Sequence, residues 1–334
     1  MTVTKDTKQS LTNRVRPPVV NGNWIRDKGV YLALLVLVLY NMGFTNNFNH
    51  FESLQTLMKQ VPAVLIVSLG MLMVIGTAGI DLSVGATMAI AGSVLGIVIS
   101  PANKGGYHQG LLLAVVLALL AGLAVGLFNG YVIAVGGVQP IVATLSLLVA
   151  GRGIALVITS GGLIELFNPT LNKLGSGFLF KIPYSMLIGV ALVSIVAVLV
   201  RRTVLGYRLL AIGGNRRASV LAGLPVRRTI ITVYALSGLF AAVAGIIGTA
   251  RIQSADPSYL GILFELQAIT AVVVGGTALY GGRVRVMGTL AGVFLMQLLE
   301  NTLKAHNIPD SGTRMVQAVV IITAVLIQRN RSSE

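Results

Sequence analysis

The feature that most constrains this chain is the length of its uncharged apolar stretches. From Val61 to Ser100 the only charged side chain is Asp81. Charged residues make up 10% of the whole sequence, against about 25% in soluble domains. A water-soluble fold of this size could not hide so much apolar surface, because its own surface must stay hydrated. The pattern predicts an all-α polytopic membrane protein.

About 20 predominantly apolar residues are needed for a helix to cross a bilayer. The sequence contains about ten segments of that kind, and we predict that each forms a transmembrane helix. Gly122 and Gly126, in the fourth segment, have the small-xxx-small spacing that lets membrane helices approach closely. The predicted spans are 29–45, 61–79, 82–100, 110–136, 140–159, 182–200, 229–250, 260–280, 286–303 and 312–328.

The basic residues predict the orientation of these spans. With ten spans and an internal N-terminus, the loops and tails on the inside hold 17 Lys and Arg residues and the outside loops hold six. Cytoplasmic loops of membrane proteins carry such an excess. We therefore expect both termini in the cytoplasm. The predicted organisation is a basic tail over 1–28, a transmembrane domain over 29–328 with a cytoplasmic loop at about 201–228, and a tail over 329–334.

The loop after the sixth span is long and rich in arginine. Gly213, Gly214 and Asn215 are expected to break the chain, and Asn215 can cap a short helix, Arg216–Leu221. Gly223 and Pro225 would then end that helix. The charges alone would suit an anchor at the inner membrane face, whereas the length of the loop favours a docking helix for a cytoplasmic partner.

Asp81 and Arg152 are charged residues in or beside predicted spans. A charge at the centre of a bilayer costs about 2.5–3.5 kcal/mol on insertion scales. Asp81 or Ser83 could cap the helix that starts near Leu82, or Asp81 could belong to a solute path. Arg152 should face the bundle interior or a wet cavity, with Asp81 as a partner only if the Asp81 hairpin enters the membrane.

Further polar residues lie in or near spans. They could line a path for a hydroxylated solute, and hydrogen bonding between helices explains them equally well. They are Asn129, Thr144, Gln267, Gln297, Glu300 and Asn301.

Several kinds of chemistry are disfavoured by what the sequence lacks. There is no cysteine, and His50, His108 and His306 are scattered, so we predict no metal site. No phosphate-binding G-x-x-x-x-G-K-[ST] loop is present, which argues against ATP hydrolysis by this chain in that manner. The sequence also has no string of intramembrane acids to relay ions. We predict a transport protein, not an enzyme.

Four segments in consistent order resemble the membrane permease subunits of bacterial ABC importers for simple sugars of the ribose, xylose, arabinose and galactose type. The resemblance extends over about residues 30–328. One departure is visible after Gly281-Gly282-Arg283, where this chain has Val284 and Arg285. The segments are GIDLSVGATMAIAG (79–92), PIVATLSLLVAGRGIAL (140–156), AIGGNRRASVLAG (211–223) and ELQAITAVVVGGTALYGGRVRVMGTLAG (265–292).

The resemblance implies an import complex in the bacterial inner membrane that moves a pentose or hexose from periplasm to cytoplasm. Its other parts would be a periplasmic sugar-binding protein, a second permease subunit and ATPase subunits, which bind ATP and Mg²⁺; this chain itself would hold no cofactor. The segment that resembles the coupling helix for the ATPase contains Gly213, Gly214, Asn215, Arg216, Arg217, Ala218, Ala222 and Gly223.

The translocation path is less well defined by the sequence than the coupling segment. Its candidates, for a path or for structural hydrogen bonding, are Asp81, Ser83, Asn129, Arg152, Gln297 and Asn301. Two alternative functions remain at this point. One is a secondary carrier driven by an ion gradient, and the other is an ABC permease for amino acids or nucleosides.

Overall fold

The computed structural model of the protein describes residues 23–46, 48–100 and 110–328. Most of the predicted N-terminal tail, the predicted tail 329–334 and His108 lie outside these residues. The described chain is predominantly helical, as predicted. Its helices are α1 (Asn23–Phe44), α2 (Phe51–Gly76), α3 (Val84–Ile99), α4 (Leu111–Ala134), α5 (Pro140–Ile158), α6 (Pro169–Ser176), α7 (Tyr184–Arg202), α8 (Val204–Gly214), α9 (Arg216–Leu221), α10 (Val226–Ile252), α11 (Phe264–Val274), α12 (Val286–Ala305) and α13 (Asp310–Gln328).

Four strands of two residues each were not predicted, because such short strands show no alternation of polar and apolar side chains. They are β1 (Ile164–Glu165), β2 (Phe178–Leu179), β3 (Ile182–Pro183) and β4 (Ser254–Ala255). Strands β1 and β4 pair antiparallel, and β2 and β3 form a tight hairpin. Together with α6, these pairs close one end of the bundle, where the connections α5–α7 and α10–α11 meet.

Six of the described helices are long and apolar enough to cross a membrane: α2, α4, α5, α7, α10 and α12. Each of the ten predicted spans contains a helix, but two of these helices are short. At 1.5 Å per residue, α3, with 16 residues, and α11, with 11 residues, extend about 24 and 17 Å. Neither length covers a hydrocarbon core of about 30 Å.

The predicted span 260–280 is the clearest difference from the sequence-based expectation. The helix begins only at Phe264, after Leu263 in the left-handed region at a φ of +62°. It ends at Val274, before Gly276, which also has a positive φ. The remaining residues of the predicted span are therefore non-helical, and the apolar composition of the segment concealed both breaks.

Burial separates inner from outer helices. The apolar windows of α2 and α10 are 83% and 72% buried, whereas those of α4, α5 and α7 are at most one third buried. Nearly every residue of α3 is buried as well. The bundle thus places α2, α3 and α10 at its centre. The other long helices expose apolar faces, as expected of surfaces that contact lipid.

The predicted small-residue contact is confirmed between α4 and α10. A Cβ added at Gly126 would lie 2.9 Å from the Cα atom of Ala235, and one added at Gly122 would lie 2.6 Å from the carbonyl oxygen of Gly238. The two helices therefore touch through their backbones.

Candidate functional site

The segment predicted to dock a partner contains a short helix, α9, which packs against α8 and α10. Asn215 caps it, because its Oδ1 atom accepts a hydrogen bond from the N–H of Ala218 at 2.9 Å. The chain turns away at Gly223, whose φ is +75°. The predicted helix Arg216–Leu221, its cap and its end are therefore confirmed.

The expected break at Gly213 and Gly214 is wrong, because both residues belong to the last turn of α8. The chain breaks at Asn215 alone, which has an extended backbone. Helix α8 itself was missed by the sequence analysis, although Leu205, Leu209 and Ile212 have helical spacing. The arginines around it were interpreted as a loop.

The outer face of α9 combines positive charge with apolar side chains. Arg216, Arg217, Ala218 and Ala222 are exposed, and Val220 and Leu221 are 58% and 89% exposed. When a partner covers a leucine that is almost fully exposed, apolar surface is removed from water and the complex is stabilised. Arginine beside apolar anchors is also the composition found at the energetic centre of protein interfaces. This face is chemically suited to binding another protein.

Gly213 joins the docking segment to two other parts of the bundle. The carbonyl oxygen of Gly76, at the end of α2, accepts a hydrogen bond from the N–H of Gly282 at 3.1 Å. Gly213 packs directly against this pair, and a Cβ added to it would overlap the Gly76 carbonyl and lie 2.5 Å from the Gly282 nitrogen. We call the contact of Gly76, Gly213 and Gly282 the glycine seam. It leaves no room for any side chain larger than hydrogen at Gly213.

Asp81 lies just beyond the glycine seam, in the connection 77–83 between α2 and α3, and is 1% exposed. Its Oδ1 atom accepts hydrogen bonds from the Ser83 N–H at 3.0 Å and the Ser83 hydroxyl at 2.6 Å. Its Oδ2 atom accepts one from the Ser237 hydroxyl at 2.8 Å. Three hydrogen bonds to a carboxylate offset much of the cost of burying it.

The hairpin 77–83 enters the bundle. Ser237 lies eleven residues after Val226, the first residue of α10, which places Asp81 about 16 Å along that helix. Tyr234 on the same helix donates from its hydroxyl to the carbonyl of Ile80 at 3.3 Å. The hairpin is therefore held at depth by side chains of α10.

Asn129 and Thr144 hold the same hairpin from two other helices. The Nδ2 atom of Asn129 donates to the Ser83 hydroxyl at 2.8 Å. Thr144 on α5 donates to the Ile80 carbonyl at 3.4 Å. Asp81, Ser83 and Asn129 are thus brought together, as candidates for one site. The expected helix capping differs in detail, because Ser83 is the N-cap residue of α3 without a side-chain cap bond.

Arg152 does not pair with Asp81. Its Nη1 atom donates to the backbone carbonyls of Pro257 at 2.9 Å and Leu260 at 2.5 Å. Those carbonyls belong to the non-helical stretch 256–263, so they do not accept the backbone hydrogen bonds that carbonyls accept within a helix. Arg152 thus supplies, from α5, the hydrogen bonds that this stretch of backbone lacks.

Glu265 is a second charged residue of this region, and the sequence analysis left it out of the candidate site. It is 7% exposed in the first turn of α11, and it interacts electrostatically with Arg152. A Cβ added at Gly85 would lie 2.5 Å from its Oε2 atom. The starts of α3 and α11 therefore meet at this carboxylate. The interaction between Glu265 and Arg152 depends on the break in the helix at Leu263. Because that break was not predicted, the sequence did not indicate the interaction.

We call Asp81, Ser83, Asn129 and Ser237, which are joined by hydrogen bonds, the Asp81 cluster. Gln297 and Asn301 are not part of it. Gln297 on α12 donates to Gln60 on α2 at 3.1 Å, and Asn301 follows one turn later, half-buried. Gln60 precedes Gly76 by sixteen residues, which is about 24 Å along α2. Ser237 and Tyr234, by contrast, do contact the hairpin and were missed, because serine and tyrosine are unremarkable in an apolar helix.

No group of three His, Asp or Glu side chains that could hold a metal ion occurs within the described ranges. The contacts described above are hydrogen bonds, charge interactions and backbone contacts. Such an arrangement can bind a partner at α9 and can position a polar path at Arg152 and Glu265.

Comparison with known proteins places this geometry in a family context. A family model described as "Branched-chain amino acid transport system / permease component" matches residues 53–325. The galactofuranose transporter permease protein of Escherichia coli (strain K12) is 38% identical over 97% of this chain and 95% of its own length. The ribose import permease protein of the same strain is 36% identical over 92% and 95%.

A more distant relative is the L-arabinose ABC transporter permease protein of Azospirillum brasilense. It is 30% identical over 94% of this chain and 91% of its own length. No solved structure shows a significant match.

The glycine seam predicts different effects for two neighbouring substitutions. Gly213→Ala should destabilise the protein by about 2 kcal/mol or more, because the methyl group would overlap the Gly76 backbone. Gly214→Ala is the matched control, since a Cβ there has nothing within 4 Å and alanine favours the helix. Thermal unfolding of the purified protein measures both. Equal unfolding temperatures for the two variants would show that the seam is not tightly packed.

The Asp81 cluster predicts a graded loss of stability. Asp81→Ala removes the acceptor of three hydrogen bonds and should cost about 2–4 kcal/mol. Ser237→Ala removes only one of these bonds and should cost less. Chemical denaturation in detergent compares them. An Asp81→Ala variant as stable as the unmodified protein would mean that backbone packing alone holds the hairpin.

Proposed function

This chain belongs to the family of permease components of the branched-chain amino acid transport system type, and from that premise we propose that it is the transmembrane subunit of an ATP-driven importer of a simple sugar. The observation that carries the proposal is α9. This capped helix, which is rich in arginine and has a highly exposed leucine, lies at one end of a membrane bundle. The glycine seam connects it to that bundle through α8.

The substrate class is inferred from the relatives and not from the family description, which refers to branched-chain amino acids. The three relatives described above are named for galactofuranose, ribose and L-arabinose. Their matches cover more than nine tenths of this chain. We therefore propose a pentose or hexose, in furanose or pyranose form, as the solute. A permease for amino acids is the second candidate, and the family description favours it.

We propose that the end of the bundle with α9 faces the cytoplasm, so that both termini are cytoplasmic and about ten helices lie in the bacterial inner membrane. Arg201, Arg202, Arg216, Arg217 and the Arg227–Arg228 pair are all exposed there, which follows the positive-inside pattern. In this arrangement α3 and α11 each cross only part of the membrane. The hairpin 77–83 and the stretch 256–263 complete these two crossings.

Energy would enter through a separate ATPase that holds ATP and Mg²⁺ and binds α9. The arginines and Leu221 give such a partner charged and apolar contacts. A movement of α9 would act through α8 on the glycine seam, and hence on the end of α2 and the turn before α12. The ATPase would thereby favour one of two arrangements of the bundle, by binding it more tightly than the other.

The solute path is proposed to run beside the two breaks in the helices. Non-helical backbone at membrane depth is tolerated only where it is buried in protein or lines a wet cavity. Transporters commonly place their solute sites at such discontinuous helices. Arg152 and Glu265 lie at the break before α11, and Asp81, Ser83 and Asn129 support the break before α3. Gln297 and Asn301, which lie towards the other end of α2, are assigned to helix packing.

The opposite end of the bundle offers a surface for a periplasmic sugar-binding protein. The β2–β3 hairpin turns through Phe180 and Lys181, both with positive φ, a strained conformation for these residue types. Phe180 at its tip is 91% exposed. A protruding aromatic ring suits a protein contact. A second permease subunit, identical or homologous, would complete the channel.

The proposal predicts that reversing the charges on α9 weakens binding of the ATPase subunit and leaves insertion into the membrane unchanged. The double variant Arg216→Glu, Arg217→Glu should insert normally and bind the ATPase subunit at least tenfold more weakly, because both arginines are exposed on the proposed contact face. The control is Lys173→Glu, Arg251→Glu, two exposed residues at the opposite end of the bundle and outside the β2–β3 hairpin. Co-purification with the ATPase and sugar uptake in reconstituted vesicles measure the effect.

Three results would contradict parts of this proposal. Retained pairing in the Arg216/Arg217 variant would place the docking helix elsewhere. Uptake by vesicles without the ATPase, driven by an ion gradient, would identify a secondary carrier. Uptake of branched-chain amino acids but not of sugars would replace the proposed substrate while leaving the ATP-driven mechanism in place.

A further inference from the structure

A cavity of about 240 Å³ lies between three elements that are distant in sequence. It is bounded by the first turns of α1, the end of α7 and the segment leading into α12. It is distinct from the Asp81 cluster and from the Arg152–Glu265 pair. Its lining residues are Tyr31, Arg201, Val284, Arg285, Val286 and Met287, with the backbone of Gly288.

One side of the cavity is strongly basic. Arg201 is exposed in the last turn of α7, and Arg285 is half-buried immediately before α12. Lys28 precedes Tyr31 by three residues on α1 and therefore lies on the same face of that helix. Two guanidinium groups from separate elements can bind the same phosphate. Each guanidinium can donate two parallel hydrogen bonds to it.

The other side of the cavity is apolar. Tyr31, Val284, Val286 and Met287 line it, and Met287 is 52% exposed. Beyond Tyr31, the face of α1 continues with Leu32, Leu35 and Leu39, each more than half exposed. An apolar row of this kind on a membrane helix is a surface for acyl chains. A free phosphate or a nucleotide would leave it uncovered.

The cavity also lies at the same end of the bundle as α9. Arg285 follows the turn at Gly282 by three residues, and a Cβ at Gly282 would lie 2.9 Å from the Cα atom of Gly214. The cavity thus shares its end of the bundle with α9. Tyr31, 45% exposed, has the position that tyrosine takes at membrane–water interfaces.

We propose that this cavity binds the headgroup of an anionic phospholipid. The phosphate contacts Arg201 and Arg285, and the acyl chains follow the exposed face of α1. The assignment to the cytoplasmic leaflet rests on the orientation proposed above, whereas the lipid site itself does not. Because the lipid would hold α1, α7 and the start of α12 together, it stabilises the turn that forms the glycine seam.

The test compares lipid binding by three purified forms of the full chain. These are the unmodified protein, the double variant Arg201→Gln, Arg285→Gln, and the control Arg227→Gln, Arg228→Gln, which removes equal charge from exposed residues of α10 at the same end. Native mass spectrometry with phosphatidylglycerol and phosphatidylcholine gives the affinities. Inorganic phosphate is added as a competitor.

The unmodified protein and the control should bind phosphatidylglycerol equally and prefer it to phosphatidylcholine. The cavity variant should bind it at least thirtyfold more weakly, because it loses two charge-assisted contacts to the phosphate that the control keeps. Its helical circular-dichroism signal and its elution in size-exclusion chromatography without lipid should match those of the control, which excludes misfolding as the cause.

Equal losses in the cavity and control variants would overturn the proposal, because they would show diffuse attraction to the whole basic surface. Equal affinity for the two lipids would also overturn it. Competition by millimolar phosphate would identify a free-anion site. None of these outcomes depends on uptake or on ATPase pairing, so the transport function and the lipid site can fail separately.

Discussion

The structure depends on a contact between backbones where side chains are absent. The carbonyl of Gly76 accepts a hydrogen bond from Gly282, and Gly213 covers both without a Cβ atom between them. Protein interiors are close-packed and transmit displacement because they compress little. A rigid contact of this kind makes α8 and α9 a continuation of the bundle, where a flexible loop would absorb any force applied to them.

A second constraint follows from the membrane. Hydrocarbon offers no hydrogen bonds to backbone groups, so each interruption of a helix must be satisfied by the protein. Tyr234 and Thr144 satisfy the hairpin before α3, and Arg152 satisfies the stretch before α11. Among the described residues, the two buried carboxyl groups, those of Asp81 and Glu265, lie at these two interruptions. A path for a hydrated solute would find polar groups at the same two places.

Features that depend on a few neighbouring residues were predicted correctly from the sequence, whereas contacts between residues distant in sequence were not. The α9 helix needs only Asn215, Gly223 and the residues between them, and it was predicted with its cap and its end. For Arg152 the sequence suggested Asp81 as a partner only if the Asp81 hairpin enters the membrane, and its actual partners, Pro257 and Leu260, were not foreseen. The break at Leu263 lies inside an apolar segment that looks like one continuous span. Ser237 and Tyr234 were missed since nothing local distinguishes a serine that binds Asp81 from one that packs against lipid.

The central claim is that α9 stands in the cytoplasm and is covered by an ATPase. The chain contains no cysteine, so Leu221→Cys creates a single labelling site at a position of that helix that is 89% exposed. A membrane-impermeant maleimide should label this cysteine in inverted membrane vesicles but not in intact cells, and bound ATPase should block the labelling. Labelling from the outside of intact cells would contradict the orientation and with it the account of how energy enters the bundle.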